Sequence, residues 1–240
     1  MIDLHCHILP GIDDGALDLA DSVAMGSQAD RDRVMLICAT PHIRHDHDVR
    51  IAELADRVAE LNAALRDAGM WARVLPGGEV AETIVEHLDD TELRALTLGG
   101  GGRWILLEPR AGPLSDSLLD TVNHLAARGT RCVIAHPERH LTRDLVARLH
   151  ALIDRGALVQ ATAAFIEDGP AAAGMLELAS RGVLHLVASD AHSSHGGRPV
   201  RLSGAVARLA GVERVAPHLG WIAHAAPRAI VAGDDIAPPF

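Results

Sequence analysis

The sequence predicts an α/β fold, in which parallel strands alternate with helices to form a closed or nearly closed barrel. Seven short apolar runs recur along the chain, and helical spacing of apolar residues follows most of them. Near-continuous apolar runs are typical of parallel strands buried on both faces, and their alternation with helices requires right-handed crossovers. The 240 residues contain no linker or repeat, so residues 1–240 are predicted to form a single domain.

The apolar runs and the helical patterns give the following order of elements. The predicted strands cover residues 2–7, 33–39, 72–75, 104–107, 131–135, 158–161 and 184–188. The predicted helices cover residues 17–30, 51–65, 114–128, 141–155 and 171–181, with short helical pieces between 80 and 98 and further helices from residue 201 onward. Gly69, Gly156 and Gly182 stand where three of these patterns stop, as glycine commonly does after a helix.

Composition excludes several classes of protein. Apolar residues make up 48% of the chain, enough for a large core, and the net charge of −10 argues against a nucleic-acid surface. No apolar run reaches the length of a membrane span and no signal peptide is evident, so we expect a soluble cytoplasmic protein without membrane insertion. The three cysteines lie in apolar runs, which predicts buried free thiols and a reducing compartment.

Side chains that bind metals follow six of the seven predicted strands. The first strand carries His5 and His7, whose side chains point to the same face because residues alternate along a strand. The other candidate ligands at strand ends are Asp13 or Asp14, His42, Glu79, Glu108, His136, Asp190 and His192. In a parallel barrel all carboxyl ends of the strands open onto one face, where such folds hold their active sites. The pattern therefore predicts a metal site on that face.

The number and type of these candidates indicate more than one ion. About nine ligands are too many for a single metal, so we expect two or three divalent ions, with Glu108 as the bridging carboxylate. A set of histidines and carboxylates without thiolate favours Mn²⁺, Mg²⁺ or Fe, and Zn²⁺ remains an alternative. Such a centre lowers the pKa of a bound water from about 15.7 toward roughly 7. The predicted reaction class is metal-assisted hydrolysis.

Two arginines favour a phosphate ester as the substrate. Arg139 and Arg198 lie on loops at the same face, and a guanidinium group matches phosphate oxygens in two-point contacts; each could equally be a surface ion pair. Cys38 and Arg44 have the spacing of thiol-based tyrosine phosphatases. That alternative is disfavoured, because Pro41 removes an amide donor from the loop and a thiol at the end of a buried strand is inert.

Seven motifs together resemble the polymerase-and-histidinol-phosphatase (PHP) superfamily. They are His5-Cys6-His7, Gly11-Ile12-Asp13-Asp14-Gly15, Ala39-Thr40-Pro41-His42, Gly78-Glu79, Leu106-Leu107-Glu108, Ala135-His136-Pro137-Glu138-Arg139 and Ser189-Asp190-Ala191-His192. Within that superfamily the chain is similar, from residue 1 to about 233, to the bacterial manganese-dependent protein-tyrosine phosphatases of the CpsB/YwqE type. The resemblance implies a distorted, TIM-like (β/α)7 barrel with three metals, and a substrate that is a tyrosine autokinase, phosphorylated on its C-terminal tail, in capsule or exopolysaccharide control.

The resemblance also implies a role for each candidate residue. His5, His7, Glu108 and Asp190 would bind one metal, His42, Glu108 and His136 a second, and Asp14, Glu79 and His192 the third. Arg139 and Arg198 would grip the phosphoryl group as catalytic residues. Asp14 is preferred to Asp13 only by this likeness, and the loop His45-Asp46-His47-Asp48 has no assigned role.

Two alternative functions stay open. One is a phosphatase for small molecules such as histidinol phosphate, and the other is a non-catalytic, metal-bound scaffold in a polysaccharide-export assembly. An amidohydrolase would share the His-x-His strand, but it would need a bridging lysine, and this sequence contains no lysine.

Overall fold

The structure is a computed structural model that describes residues 1–240, and it contains nine short strands that all pair in parallel. The strands are β1 (Ile2–Cys6), β2 (Leu36–Ala39), β3 (His42–Ile43), β4 (Arg73–Leu75), β5 (Glu79–Ala81), β6 (Trp104–Glu108), β7 (Arg131–Ala135), β8 (Leu158–Thr162) and β9 (Leu186–Ala188). Every predicted strand is represented, and two short strands that were not predicted, β3 and β5, follow β2 and β4.

Helices connect the strands and cover the outside of the barrel. The α-helices are α1 (Leu19–Arg31), α2 (Leu54–Asp67), α3 (Asp90–Ala95), α4 (Asp116–Ala127), α5 (Leu145–Ile153), α6 (Ala163–Glu167), α7 (Ala172–Ser180), α8 (Ser203–Leu209) and α9 (Ala226–Ala232). Short 3-10 turns occupy Ile51–Glu53, Val85–His87, Leu98–Gly100, Pro137–His140 and Ala216–His218, and a π-helical turn occupies Trp221–Ala225. No helix is long and apolar enough to cross a membrane.

Two sheets together close the barrel. The first has the order β1-β2-β4 and the second the order β3-β5-β6-β7-β8-β9. The chain leaves β2 and β4 for β3 and β5 through breaks at residues 40–41 and 76–78, so each pair occupies one position of the barrel. A parallel bridge between Cys6 and Ala191 joins β1 to the segment after β9. The prediction of a distorted seven-position barrel is confirmed, and the breaks are the distortion.

The breaks occur where the sequence cannot continue a regular strand. Pro41 has no N–H group for the ladder, and Thr40 Oγ1 instead accepts a hydrogen bond from the Cys6 backbone at 2.9 Å. At the second break, a side chain on Gly78 would meet Leu96 at 2.6 Å, so the close approach requires glycine. Beyond each break the chain resumes in the second sheet, and the first residue of each resumed strand is a candidate ligand.

The core has two layers, as expected for a barrel covered by helices. Inside the barrel, aliphatic side chains from alternating strand positions pack around Trp104, which donates from Nε1 to the Asp234 carbonyl at 2.8 Å. Outside it, leucine, valine and isoleucine side chains pack between the strands and the surrounding helices. The carboxyl ends of the strands carry the buried polar side chains, so the functional groups collect at that rim.

Candidate metal centre

The first two histidines are fixed in direction by hydrogen bonds on their far sides. His5 and His7 are fully buried at the end of β1. The Nδ1 atom of His5 lies 3.0 Å from Gln160 Oε1, and Nδ1 of His7 donates to Asp13 Oδ2 at 2.8 Å. Each ring therefore turns Nε2 toward the centre, where the two Nε2 atoms lie 3.2 Å apart. In metal sites, a histidine commonly makes a hydrogen bond through one ring nitrogen while the other ring nitrogen binds the metal, and both histidines have this arrangement.

Glu79 lies at the middle of the histidine cluster. Its Oε2 atom is 3.3 Å from Nε2 of both His5 and His7 and 2.9 Å from Nδ1 of His42. Its Oε1 atom accepts a hydrogen bond from Nε2 of His136 at 2.8 Å. One buried carboxylate thus contacts four imidazoles from the ends of three strands, β1, β3 and β7.

The central position of Glu79 differs from the expected assignment, which gave the bridging role to Glu108. The strand register explains the difference. Glu79 is paired with Leu106, whereas Glu108 is paired with Ala81, so Glu108 lies two residues nearer the rim. The break before β5 sets this depth, and no property of the sequence at Glu108 reveals it.

Three groups of side chains each place their ligand atoms within 4.8 Å of one another. They are His5, His7 and Asp190; His42, Glu79 and Glu108; and His7, Asp14, His42 and His192. All the predicted ligands except His136 fall in these groups, and His136 contacts them through Glu79. The division differs from the expected one, since Glu108 is absent from the first group and Glu79 from the third.

Asp13 and Asp14 have different positions although they are neighbours. Asp13 is buried beneath His7 and accepts hydrogen bonds from the backbone N–H groups of Gly15 at 3.0 Å and His42 at 3.0 Å. The Asp14 side chain is 59% exposed, with Oδ1 3.4 Å from Nε2 of His42. Gly15 permits this loop to lie on the first strand, because a Cβ there would meet the His7 carbonyl oxygen at 2.2 Å. Asp13 orients ligands, and Asp14 faces the third group.

Two candidate ligands have backbone angles that non-glycine residues rarely adopt. His136 has φ 36° and Asp190 has φ 50°, and Arg33 is the only other non-glycine residue with positive φ. Such strain costs about 1–3 kcal/mol per residue and collects at functional sites. At Asp190 the turn is held by the backbone, because its N–H donates to the His5 carbonyl at 2.8 Å.

The buried acids and imidazoles shift one another's pKa values. Burial acts to raise the pKa of Glu79, but His5, His136 and His42 outweigh it and hold that pKa well below its usual value. Burial lowers the pKa of His7, yet hydrogen bonds to Asp13 and Glu79 outweigh burial and raise it to about 10. For Asp190 the burial effect is likewise outweighed by His5 and Arg198, giving a pKa of about 2. Glu79 and Asp190 are therefore ionised at neutral pH, and the cluster contains buried negative charge.

Several buried polar atoms of the cluster have close polar neighbours but make no hydrogen bond of acceptable geometry. They include His42 Nδ1 and Glu79 Oε2, which lie 2.9 Å apart, and Asp190 Oδ1, which lies 3.1 Å from Arg198 Nη2. Buried polar atoms are nearly always satisfied, and each exception needs an explanation. Cations bound between these atoms would satisfy them, so the residues fit a metal centre.

Three arginines lie around the centre. Arg139 Nη2 is 3.3 Å from Asp190 Oδ2, and Arg198 Nη2 is 3.1 Å from Asp190 Oδ1. Arg44, which had no predicted role other than its spacing from Cys38, places Nη1 3.4 Å from Glu108 Oε1. Arg139 Nη1 lies 3.7 Å from the same oxygen. Guanidinium groups therefore lie close to both Asp190 and Glu108.

One further residue of the site, Gln160, could have been identified from the sequence. Gln160 stands in the middle of the buried strand β8, the one predicted strand without an assigned ligand. A buried amide needs a polar partner, and here that partner is His5. Cys6, Cys38 and Cys132 are buried and free, as predicted, and burial raises the pKa of each thiol. The buried position of Cys38 therefore argues against a thiol-based phosphatase mechanism at that residue.

A cavity of about 460 Å³ opens beside the centre. Its lining includes Glu108 and His136 from the metal centre, and Arg44, Arg110 and Arg139 around them. The lining contains no phenylalanine or tryptophan and only two apolar residues. The cavity is suited to a polar, anionic group next to the metal ligands.

Comparisons of sequence with known proteins identify relatives of this chain. The family model described as "Capsular polysaccharide synthesis, CpsB/CapC" matches residues 1–214. The tyrosine-protein phosphatase YwqE of Bacillus subtilis (strain 168) is 35% identical over 201 residues, which cover 80% of this chain and 78% of YwqE. The tyrosine-protein phosphatase CpsB of Streptococcus pneumoniae is 27% identical over 206 residues, covering 80% of this chain and 83% of CpsB.

Comparisons of structure agree with those of sequence. A crystal structure from a study of YwqE and CpsB, described as unique metal-dependent tyrosine phosphatases, matches with a TM-score of 0.85 and 30% identity over 100% of both chains. A dihydropyrimidinase from Brevibacillus agri matches with a TM-score of 0.51 and 10% identity, over 91% of this chain and 66% of that enzyme. The second likeness concerns the barrel fold alone.

Proposed function

Because this chain belongs to the CpsB/CapC family of capsular polysaccharide synthesis, we propose that it is a metal-dependent phosphatase that hydrolyses phosphotyrosine in a protein. The observation that carries the proposal is the convergence of imidazoles and carboxylates from five strand ends into three adjoining groups. The proposed partner is the phosphorylated C-terminal tail of a tyrosine autokinase in capsule or exopolysaccharide control. We place the reaction in the cytoplasm and assign it to residues 1–240 as one domain.

The proposed ligands are His5, His7, Asp14, His42, Glu79, Glu108, His136, Asp190 and His192. Mn²⁺ is the proposed ion, since a set of imidazoles and carboxylates without thiolate suits it. Divalent ions in such a site act as Lewis acids toward phosphate and lower the pKa of water toward about 7.

The chain's own residues would bind and orient the substrate. Arg139 and Arg198 flank the two oxygens of Asp190 and carry a permanent positive charge. With cations balancing Asp190, these guanidinium groups become available to the oxygens of a phosphate ester, and they would stabilise the charge that develops during hydrolysis. The cavity beside His136 would receive the rest of the tyrosine residue.

A phosphatase assay with Mn²⁺ tests this proposal. The wild-type protein should hydrolyse a phosphotyrosine peptide faster than histidinol phosphate, and His136→Ala and Arg139→Ala should each fall below about a tenth of wild-type turnover. Arg181→Ala is the control, since Arg181 follows α7 and pairs only with Glu177. A preference for histidinol phosphate would indicate a small-molecule phosphatase. Retention of wild-type turnover by both variants would contradict the enzymatic function.

A further inference from the structure

We propose that Arg110 forms a subsite for a carboxylate of the substrate, the side chain of an aspartate or glutamate close to the phosphotyrosine. The inference rests on the proposed phosphatase function and names the class of peptide that the site would prefer. Arg110 follows Glu108 by two residues and lines the same cavity as Glu108 and His136. A group bound by Arg110 would therefore lie within a few residues of a phosphotyrosine at the metal centre.

Arg110 differs from the other arginines of the cavity because its donors are free. Arg44 donates from Nε and Nη2 to both oxygens of Asp46, at 2.9 and 2.6 Å. Arg139 donates to a carboxylate oxygen of the metal centre at 3.3 Å. The side chain of Arg110 has one weak contact, 3.6 Å from Nε to Glu82 Oε1, and is 59% exposed. Its two terminal nitrogens can therefore bind a ligand without breaking a protein contact.

The backbone beneath Arg110 is held in place by a buried acid. Glu82 Oε2 accepts a hydrogen bond from the Arg110 backbone N–H at 3.3 Å, and Oε1 accepts one from Ser117 Oγ at 2.5 Å. The backbone N–H of Glu82 in turn donates to the Glu108 carbonyl at 2.9 Å. The position of Arg110 is thus tied to a residue of the metal centre, although its side chain remains accessible.

The charge of the molecule favours a carboxylate as the ligand. A guanidinium group binds a carboxylate in two-point contacts and keeps its charge at any working pH. The protein carries a net charge of −10, so an acidic peptide needs a local positive surface to approach. The lining of the cavity contains no phenylalanine, tyrosine or tryptophan that would select a peptide by stacking. The terminal nitrogens of Arg110 are free of protein contacts, so the charge on this side chain can distinguish one phosphopeptide from another.

The test measures kcat/KM for a set of phosphotyrosine peptides with Mn²⁺ present. A single aspartate, alanine or lysine is placed in turn at each of the three positions on either side of the phosphotyrosine. We expect one position at which aspartate is preferred to alanine by about fivefold and lysine is disfavoured, as a half-exposed charge pair allows. The ratio of two peptides on one protein sample does not depend on the fraction of active protein.

The same ratios on variants assign the preference to Arg110. In Arg110→Gln the preference for aspartate over alanine should fall to about one, and Arg110→Glu should favour lysine at that position. Arg110→Lys should retain part of the preference. Arg181→Gln is the matched control, because Arg181 is 63% exposed and engaged only by Glu177, and it should keep the wild-type ratio.

Equal rates for aspartate and alanine peptides at all positions, in an active wild-type protein, would overturn the subsite while leaving the phosphatase function intact. An unchanged preference in Arg110→Gln would also overturn it. If the wild-type protein hydrolysed none of the peptides, the phosphatase function itself would fail, and the subsite with it.

Discussion

Replacement of Asp13 by asparagine should weaken both metal binding and the folded state. In the wild-type protein, Asp13 receives hydrogen bonds from Nδ1 of His7 and from two backbone N–H groups. Asparagine keeps the size of the side chain but loses its charge, and its NH₂ group cannot accept a hydrogen bond. Loss of a carboxylate that orients a metal-binding histidine typically costs 10–100-fold in metal affinity. Because charged hydrogen bonds are also lost, unfolding of the metal-free protein should become easier by about 1–3 kcal/mol.

The matched control is Asp14→Asn. Asp14 is exposed and accepts no hydrogen bond from the backbone, but its Oδ1 atom lies 3.5 Å from Nε2 of His192. We therefore expect weaker metal binding with an unfolding free energy within about 0.5 kcal/mol of wild type. The two variants together separate an orienting carboxylate from a ligand.

Two measurements check these expectations. The first is the Mn²⁺ concentration that gives half-maximal turnover, and the second is urea unfolding of the metal-free protein. Since the folded pKa of Asp13 is about 2, against 3.8 for an ordinary aspartate, its contribution is complete above pH 3.8 and disappears as the pH falls through about 2. The reasoning is refuted if Asp13→Asn leaves both quantities at wild-type values, or if Asp14→Asn destabilises the metal-free protein equally.

Three further changes have distinct outcomes. Removal of metal with a chelator should abolish turnover and lower the unfolding free energy by about 3 kcal/mol relative to protein in Mn²⁺ at 100 times its Kd, and added Mn²⁺ should restore both; a chelator-resistant activity would contradict the metal centre. Gly15→Ala should lower Mn²⁺ affinity more than Gly220→Ala, because only the Gly15 methyl group meets His7. Gly220 has open space around it and an ordinary φ of −64°; equal Mn²⁺ affinities would contradict this contact. Burial lowers the pKa of His185 to about 4 from 6.5. The unfolding free energy should therefore fall by about 3 kcal/mol as the pH falls from 6.5 to 4, and this loss should be smaller in His185→Gln. Parallel pH profiles of the two proteins in urea unfolding would refute this expectation.

The sequence was sufficient to predict that the candidate ligands collect at the carboxyl ends of the strands. It was not sufficient to predict how far each side chain lies from the end of its strand. The prediction of the rim depended on one regularity, that parallel strands deliver their carboxyl ends to one face, and it held for residues as distant as His5 and Asp190. How far each side chain lies from the end of its strand depends on strand register. Glu79 pairs with Leu106, and Glu108 pairs with Ala81, which places Glu79 deeper among the imidazoles than Glu108.

The directions of long side chains could also not be predicted from the sequence. The direction of Arg44 is set by its two contacts with Asp46, which form only when the turn after β3 is in place. The role of Gln160 was within reach of the sequence, since an amide inside a continuous apolar strand must have a buried partner. Its partner, His5, comes from the opposite end of the chain.

The contact that joins the first strand to the segment after the last one has a consequence for how the ions are held. The Asp190 N–H donates to the His5 carbonyl at 2.8 Å, and the His7 N–H donates to the Ala191 carbonyl at 2.9 Å. The same few residues thus close the barrel between β1 and the segment after β9, and they also provide the candidate ligands of the first group. Dissociation of an ion from that group and opening of the barrel at this closure should then occur as a single cooperative event. Bound metal should therefore protect this part of the barrel from proteases and denaturants.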